Sequence, residues 1–173
     1  MKKKHNGESM NVEFNPGTNR ITLTDKGHHT EVYADSNVRN ELNGDRSLKN
    51  PQDVVYTMPM NAWEAGRPYM PRPFPKGEFL ITGIEETDHP YLQPYFIRTD
   101  CRPMVSVWTL DKDKTYGVKT DQMVLDTGYG IHFGRGIYTL GCIRISTVDD
   151  IQIVAELVKR DLYINGTIPL KVL

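Results

Sequence analysis

The sequence predicts a mainly β, β-rich α+β fold, a twisted sheet or barrel with one principal C-terminal helix. Three observations carry that expectation. Short segments of alternating apolar residues fill the first two thirds of the chain, Gly, Pro, Asn and Asp separate them, and sustained helical spacing occurs once, near the C-terminus. With 173 residues, 38% apolar and 25% charged, the chain suits a single domain over 1–173 whose core needs no disulfide staples.

The elements follow in order. Arg20-Ile21-Thr22-Leu23-Thr24 and Thr30-Glu31-Val32-Tyr33-Ala34 alternate apolar with polar residues and flank Asp25-Lys26-Gly27, which predicts a hairpin. From Asp35 to Pro75 the composition is rich in Asn, Asp, Gly and Pro. Leu48, Val54, Val55, Tyr56 and Trp63 are scattered through it without a period. Long irregular connections in a compact domain are usually functional, so a lid or groove wall is expected there. Phe79 to Ile84 reads as a strand entered through Pro73-Phe74-Pro75-Lys76-Gly77, whose prolines cannot donate to a ladder. Met104 to Leu110 and Tyr116 to Lys119, split by Asp111-Lys112-Asp113-Lys114, predict a second hairpin.

The helix is expected from Thr147 to Leu162. Ser146 or Thr147 can cap it, Asp149 and Asp150 suit its positive first turn, and Ile151, Val154, Ala155, Val158 and Leu162 recur at helical spacing. Asn165-Gly166 then predicts a turn into a terminal strand over 167–173, which Pro169 confines to an edge or to its own start.

Composition narrows the function. A net charge of -1 offers no general attraction for nucleic acid or anionic lipid, and no stretch reaches the roughly 20 apolar residues of a membrane helix. Neither nucleic acid nor membrane insertion is expected. Met1-Lys2-Lys3-Lys4 is followed by polar residues where a Sec signal needs an apolar run, so 1–9 is expected to be a leader and no Sec signal is expected. Cys101 and Cys142 are too few for a disulfide framework and form no CxxC pair, although one bridge between them stays open. His28, His29 and His89 share no ligand spacing, so neither metal nor other cofactor is expected.

The stretch from Gly128 to Ser146 holds five glycines, His132 and Cys142 within 19 residues. Glycine at that density permits tight turns and close approach of a substrate backbone. A cysteine becomes a nucleophile once its thiolate is stabilised, and a histidine within hydrogen-bond reach can take the proton. If residues 131–133 and 142–145 form neighbouring strands, His132 and Cys142 can meet, and N–H groups near Leu140, Gly141 and Cys142 can face an oxyanion. Buried cysteines are also commonly apolar filler and lone histidines satisfied polar groups, and spacing alone does not choose. His before Cys does argue against a papain-like order.

Thr139-Leu140-Gly141-Cys142-Ile143-Arg144 resembles the Ser/Thr-x-Gly-Cys-Ile/Val-Arg signature of L,D-transpeptidases with a YkuD-type catalytic domain. Ile131-His132-Phe133-Gly134 is similar to the upstream His segment of that family, and Pro73-Phe74-Pro75-Lys76-Gly77-Glu78-Phe79 to its preceding strand. The resemblance covers about residues 73–160 and implies an L,D-transpeptidase-like fold. Two departures stand out: the His-to-Cys spacing is shorter than in most secreted members, and Leu140 replaces a second histidine found in many. Short spacing, a small chain and an N-terminal hairpin are similar instead to L,D-transpeptidase-like toxins delivered by type VI secretion.

The resemblance implies Cys142 as nucleophile, His132 as base, and peptidoglycan tetrapeptide stems as substrate. A thioester acyl-enzyme would lead to L,D-carboxypeptidase, L,D-transpeptidase or D-amino acid exchange activity. It also implies synthesis in the bacterial cytoplasm, action in the periplasm of a target cell, an immunity protein as partner, and a monomer. Arg144, two residues past Cys142, would meet a substrate carboxylate or shape the site; Thr139 and Gly141 would shape the nucleophile loop; Tyr129 would line the groove or pack. Cys101 is expected to be a bystander. A silent peptidoglycan- or partner-binding protein on the same fold, or a cysteine peptidase on protein substrates, remains the alternative.

Overall fold

The computed structural model describes residues 10–38, 55–56, 69, 71–110, 117–136 and 139–173. The expected leader 1–9, the turn at 111–114, and most of the 35–75 stretch with Leu48, Val54 and Trp63 lie outside the described residues.

The mainly β expectation is what the structure shows, with a closed eight-stranded barrel at its centre. Its strands are β1 (Asn11–Asn15), β2 (Arg20–Asp25), β3 (His28–Asp35), β5 (Gly77–Glu86), β6 (Tyr95–Thr99), β9 (Gly130–Phe133), β10 (Ile143–Ile145) and β11 (Ile168–Val172). They close in the order β1-β11-β5-β6-β9-β10-β3-β2, and β4 (Val55–Tyr56), β8 (Gly117–Leu125) and β7 (Met104–Leu110) form a separate three-stranded sheet in that order.

Alternation builds the barrel core. Val12 and Phe14, Ile21 and Leu23, Val32 and Ala34, Ile143 and Ile145, and Ile168, Leu170 and Val172 point inward from their strands together with Ile81, Ile97 and Ile131. The β2–β3 hairpin turns on Lys26 and Gly27, both at positive φ (49° and 81°), the geometry a two-residue turn of this hand requires.

Helix α1 (Val148–Asn165) starts as expected: the Thr147 side chain accepts the Asp150 N–H at 3.1 Å, with Asp149 and Asp150 in the first turn. It runs past Leu162 to Asn165, where Gly166 at φ 82° donates its N–H to Leu162 O at 2.8 Å. Ile151, Val154 and Val158 join the barrel core, and the helix packs on β5, β6, β9, β10 and β11.

Several expectations are extended. The sequence reading contained neither β1 nor β6, and ended β8 at Lys119 where the strand reaches Leu125. Strand β11 is not an edge strand, since it lies between β1 and β5. Pro169 is tolerated because pairing with β1 begins only at Leu170, so the missing N–H falls at the start of the strand.

Candidate active site

Register across four barrel strands builds the site. Asp35 of β3 pairs with Arg144 of β10, Arg144 with His132 of β9, and His132 with Phe96 of β6. Paired residues share a face, and the alternate positions Ala34, Ile145, Ile131 and Ile97 fill the barrel interior. Asp35, Arg144, His132 and Phe96 therefore form one transverse row on the outer face. Strands β9 and β10 are parallel, with Ile143 beside Ile131; continuing that register by one residue puts Cys142 beside Gly130. Cys142 is thus one row from His132 on the same face, with only a glycine between the strands' side chains at that level. Both residues line one cavity of about 1220 Å³.

Gly130 is required by its neighbours. A Cβ there would lie 2.5 Å from Phe96 Cζ and 2.6 Å from the Ile97 carbonyl oxygen. The backbone atom cannot move aside cheaply, so Gly130→Ala is expected to destabilise the fold by about 1–3 kcal/mol through overpacking. Urea unfolding of the variant checks this, and an unchanged midpoint would mean that β6 and β9 adjust freely.

His132 is 8% exposed, and its Nδ1 donates to the Phe133 carbonyl oxygen at 2.7 Å. In the neutral ring that bond leaves Nε2 unprotonated, the tautomer a base needs. The Phe96 ring lies 6.3 Å from the imidazole, tilted by 35°. Burial lowers the His132 pKa below 6.5, against an opposing contribution from the Phe133 bond, and the Arg144 charge lowers it further. The folded state therefore holds this ring neutral where the unfolded chain begins to take up a proton. Because the unfolded chain binds more protons in that window, the site's contribution to stability is complete above pH 6.5 and is lost as pH falls toward the lowered value. Denaturation at about pH 7.5 and about pH 5.5 should show a loss of stability that His132→Gln reduces, since its amide does not titrate. Equal losses in both proteins would assign the effect to other groups.

Cys142 is 6% exposed and donates its Sγ–H to the Gly128 carbonyl oxygen at 3.2 Å. Thr139 organises its turn: its hydroxyl donates to Cys142 O at 3.0 Å and accepts the Gly141 N–H at 2.9 Å. The Gly141 N–H is therefore engaged with Thr139 and does not face a substrate oxyanion in this arrangement. Gly141 adopts φ +127°, and a Cβ there would come within 2.7 Å of Arg72 O and 2.8 Å of the Tyr129 ring. Its carbonyl accepts the Ser36 hydroxyl at 2.9 Å, and Ser36 Oγ accepts the Phe74 N–H at 2.7 Å. The turn is so tied to the chain leaving β3 and to the segment entering β5. Leu140 stands on the cavity wall beside Cys142.

Arg144 is held structurally. Its Nε donates to Asp35 Oδ1 at 3.2 Å, its Nη2 to Asp35 Oδ2, and its Nη1 to the Gly134 carbonyl at 2.8 Å. Both partners are buried, Asp35 at 0% and Arg144 at 6% exposure. Of the two roles expected for Arg144, shaping the site is the one these contacts serve, although the side chain still borders the cavity. Tyr129 is turned into the core and is absent from the described cavity wall; its ring packs edge-on against Phe74 at 5.4 Å. Cys101 and Cys142 are both free thiols. Cys101 lies in the core, where burial first, then the charges of Asp126, Asp100 and Cys142, push its thiol up to about 12. A thiol so placed stays protonated and is a poor nucleophile.

The expected groove beside Cys142 is bordered in part by the 35–75 stretch. Of the 35–75 stretch, Tyr69 borders the cavity, and most of that stretch lies outside the described residues. The larger described wall is the turn between β5 and β6, from His89 to Pro94. His89, which shares no ligand spacing with other histidines, is an exposed residue of that wall. The sequence gives neither Asp35 nor Ser36 a part in the site, because their roles there depend on partners more than 100 positions away.

No family model matches the chain, and no curated protein does. Among solved structures it is similar to Bd1075 of Bdellovibrio bacteriovorus, with a TM-score of 0.52 and 12% identity over 98% of this chain and 50% of that one. It is also similar to an L,D-transpeptidase from Xylanimonas cellulosilytica, with a TM-score of 0.43 and 15% identity over 96% of this chain and 61% of that one. The chain thus spans less than two thirds of either neighbour's length. The likeness to Bd1075 is one of fold.

Proposed function

We propose that the chain is a cysteine-nucleophile enzyme that acts on peptidoglycan tetrapeptide stems through a thioester, as an L,D-carboxypeptidase or an L,D-transpeptidase and D-amino acid exchanger. The observation that carries this reading is that His132 of β9 and Cys142, the residue before β10, line one cavity, with β9 and β10 paired in parallel. The resemblance of Thr139 to Arg144 to the L,D-transpeptidase signature supplies the substrate class.

In this mechanism His132 Nε2 takes the Cys142 proton, which must first leave its bond to Gly128 O. The thiolate attacks the carbonyl carbon joining the third and fourth stem residues. The C–N bond breaks, the departing D-residue takes the proton from His132 as it becomes a free amine, and the acyl group stays on sulfur. Water, deprotonated by His132, then returns a carboxylate and the free thiol, whereas an amine acceptor returns a new amide. Stem peptides lie outside the cytoplasmic membrane, so this substrate entails action in the periplasm. Delivery to a target cell as a type VI effector, with an immunity protein as partner, belongs to the same proposal and rests on the resemblance alone.

Incubation with disaccharide tetrapeptides, followed by mass spectrometry for loss of the terminal D-residue, tests the reading. Untouched muropeptides together with cleaved proteins would favour a cysteine peptidase. If neither substrate changes, a silent binding protein on this fold takes its place.

A further inference from the structure

The turn after β9, Gly134-Arg135-Gly136, brings a second arginine to the cavity that holds Cys142 and His132. The charge balance of the wall is one-sided. Its described residues include two arginines and two histidines but no aspartate or glutamate. Arg144 is neutralised by Asp35, which meets it with both carboxylate oxygens. His132 is held neutral by burial. His89 uses Nδ1 to accept the Tyr91 N–H at 3.3 Å. Asp149 and Asp150, in the first turn of α1, are not on the wall, although Val148 and Gln152 of that helix are. Arg135 is exposed, and no ion pair engages it among the described residues. Among the described residues of the wall, Arg135 is therefore the arginine without a counter-charge, on the chain segment that leaves the base.

An arginine fork matches a carboxylate with two parallel N–H donors, and an exposed guanidinium at a groove edge keeps that fork available. We propose that Arg135 is a specificity-determining residue that anchors a carboxylate of the acyl-donor peptide, placing the bond to be broken over Cys142. This rests on the stem-peptide reading for the identity of the ligand. Two stem carboxylates share the required chemistry: the α-carboxylate of the terminal D-residue, and the side-chain carboxylate of a diamino acid at the third position. Since Arg135 touches neither reacting atom, its loss should raise KM and leave kcat nearly unchanged once substrate saturates.

The test separates the anchor from the reaction. Binding is measured with full-length Cys142→Ala protein, which cannot turn over, against three probes: a free tetrapeptide, the same peptide amidated at its C-terminus, and one amidated at the third-residue side chain. Arg135→Gln and Arg135→Lys are compared in that background. The expected result is that one of the two amidations weakens binding by about 10- to 100-fold, the range of a charge-assisted hydrogen bond. Arg135→Gln should weaken binding of the free peptide by as much and abolish the discrimination, while Arg135→Lys retains part of it. The amide that matters identifies the carboxylate. In the active protein, Arg135→Gln should raise KM by a similar factor. Equal binding of all three peptides, no measurable binding, or discrimination that survives Arg135→Gln would overturn the assignment. Failure of the catalytic reading shows separately, as a wild-type protein that binds the free peptide and does not cleave it.

Discussion

Cys142→Ala should remove turnover of tetrapeptide stems, on the order of 10³-fold or more, while leaving the fold intact. The thiol donates a hydrogen bond to Gly128 O, and its turn is held by Thr139, Ser36 and Gly141, none of which depends on sulfur. Removing it deletes one small buried atom. His132→Ala should lower acylation by about 10²- to 10⁴-fold, the usual worth of a positioned base. The effects should not add: two groups acting as one unit lose most of their joint contribution when either goes, so the double variant should match the worse single one. A thiol left without a base gains thiolate as pH rises, so activity of His132→Ala should recover in part toward pH 9 and that of Cys142→Ala should not. Single-turnover release of the terminal D-residue, measured across pH, reads all of this. Near wild-type turnover by Cys142→Ala would remove the nucleophile and the mechanism with it.

Much of the fold was legible where the signal is local. The β2–β3 hairpin is written in its alternation and in Lys26-Gly27, and α1 in its Thr147 cap and its apolar spacing. Strand β1 was not legible, because Val12 and Phe14 alone alternate there and its place depends on parallel pairing with β11 at the far end of the chain. Strand β6 follows a proline-rich turn whose punctuation conceals where the strand begins. At the site, the meeting of His132 and Cys142 was conditional on residues 131–133 and 142–145 forming neighbouring strands, and β9 and β10 are such a pair. What sequence could not supply was the lateral order of the barrel. That order places β3 beside β10 and so delivers Asp35 to Arg144, and it places β6 beside β9 and so delivers Phe96 to His132. No spacing rule links residues 109 positions apart.

That lateral pairing carries the largest expected effect on stability. Asp35→Ala would leave the Arg144 guanidinium buried with its Gly134 contact and no counter-charge. Breaking one side of a buried pair costs about 3–5 kcal/mol, a large part of the roughly 5–15 kcal/mol that holds a domain together. Arg144→Met should cost a similar amount, since it strands a carboxylate that is 0% exposed. The double variant Asp35→Leu with Arg144→Met removes both charges and should be less destabilised than the sum of the singles, because neither leaves an ion unpaired. The cycle also decides what Arg144 does. If the residue served mainly as a substrate ligand, Arg144→Met would keep the unfolding midpoint and lose affinity for the stem peptide. The structural role predicts a lowered midpoint, non-additive with Asp35→Ala. It also predicts that the His132 pKa rises once the neighbouring positive charge is gone, moving the acid limb of kcat/KM upward in any folded double variant. Strict additivity of the two unfolding free energies would show that the pair does not form in solution.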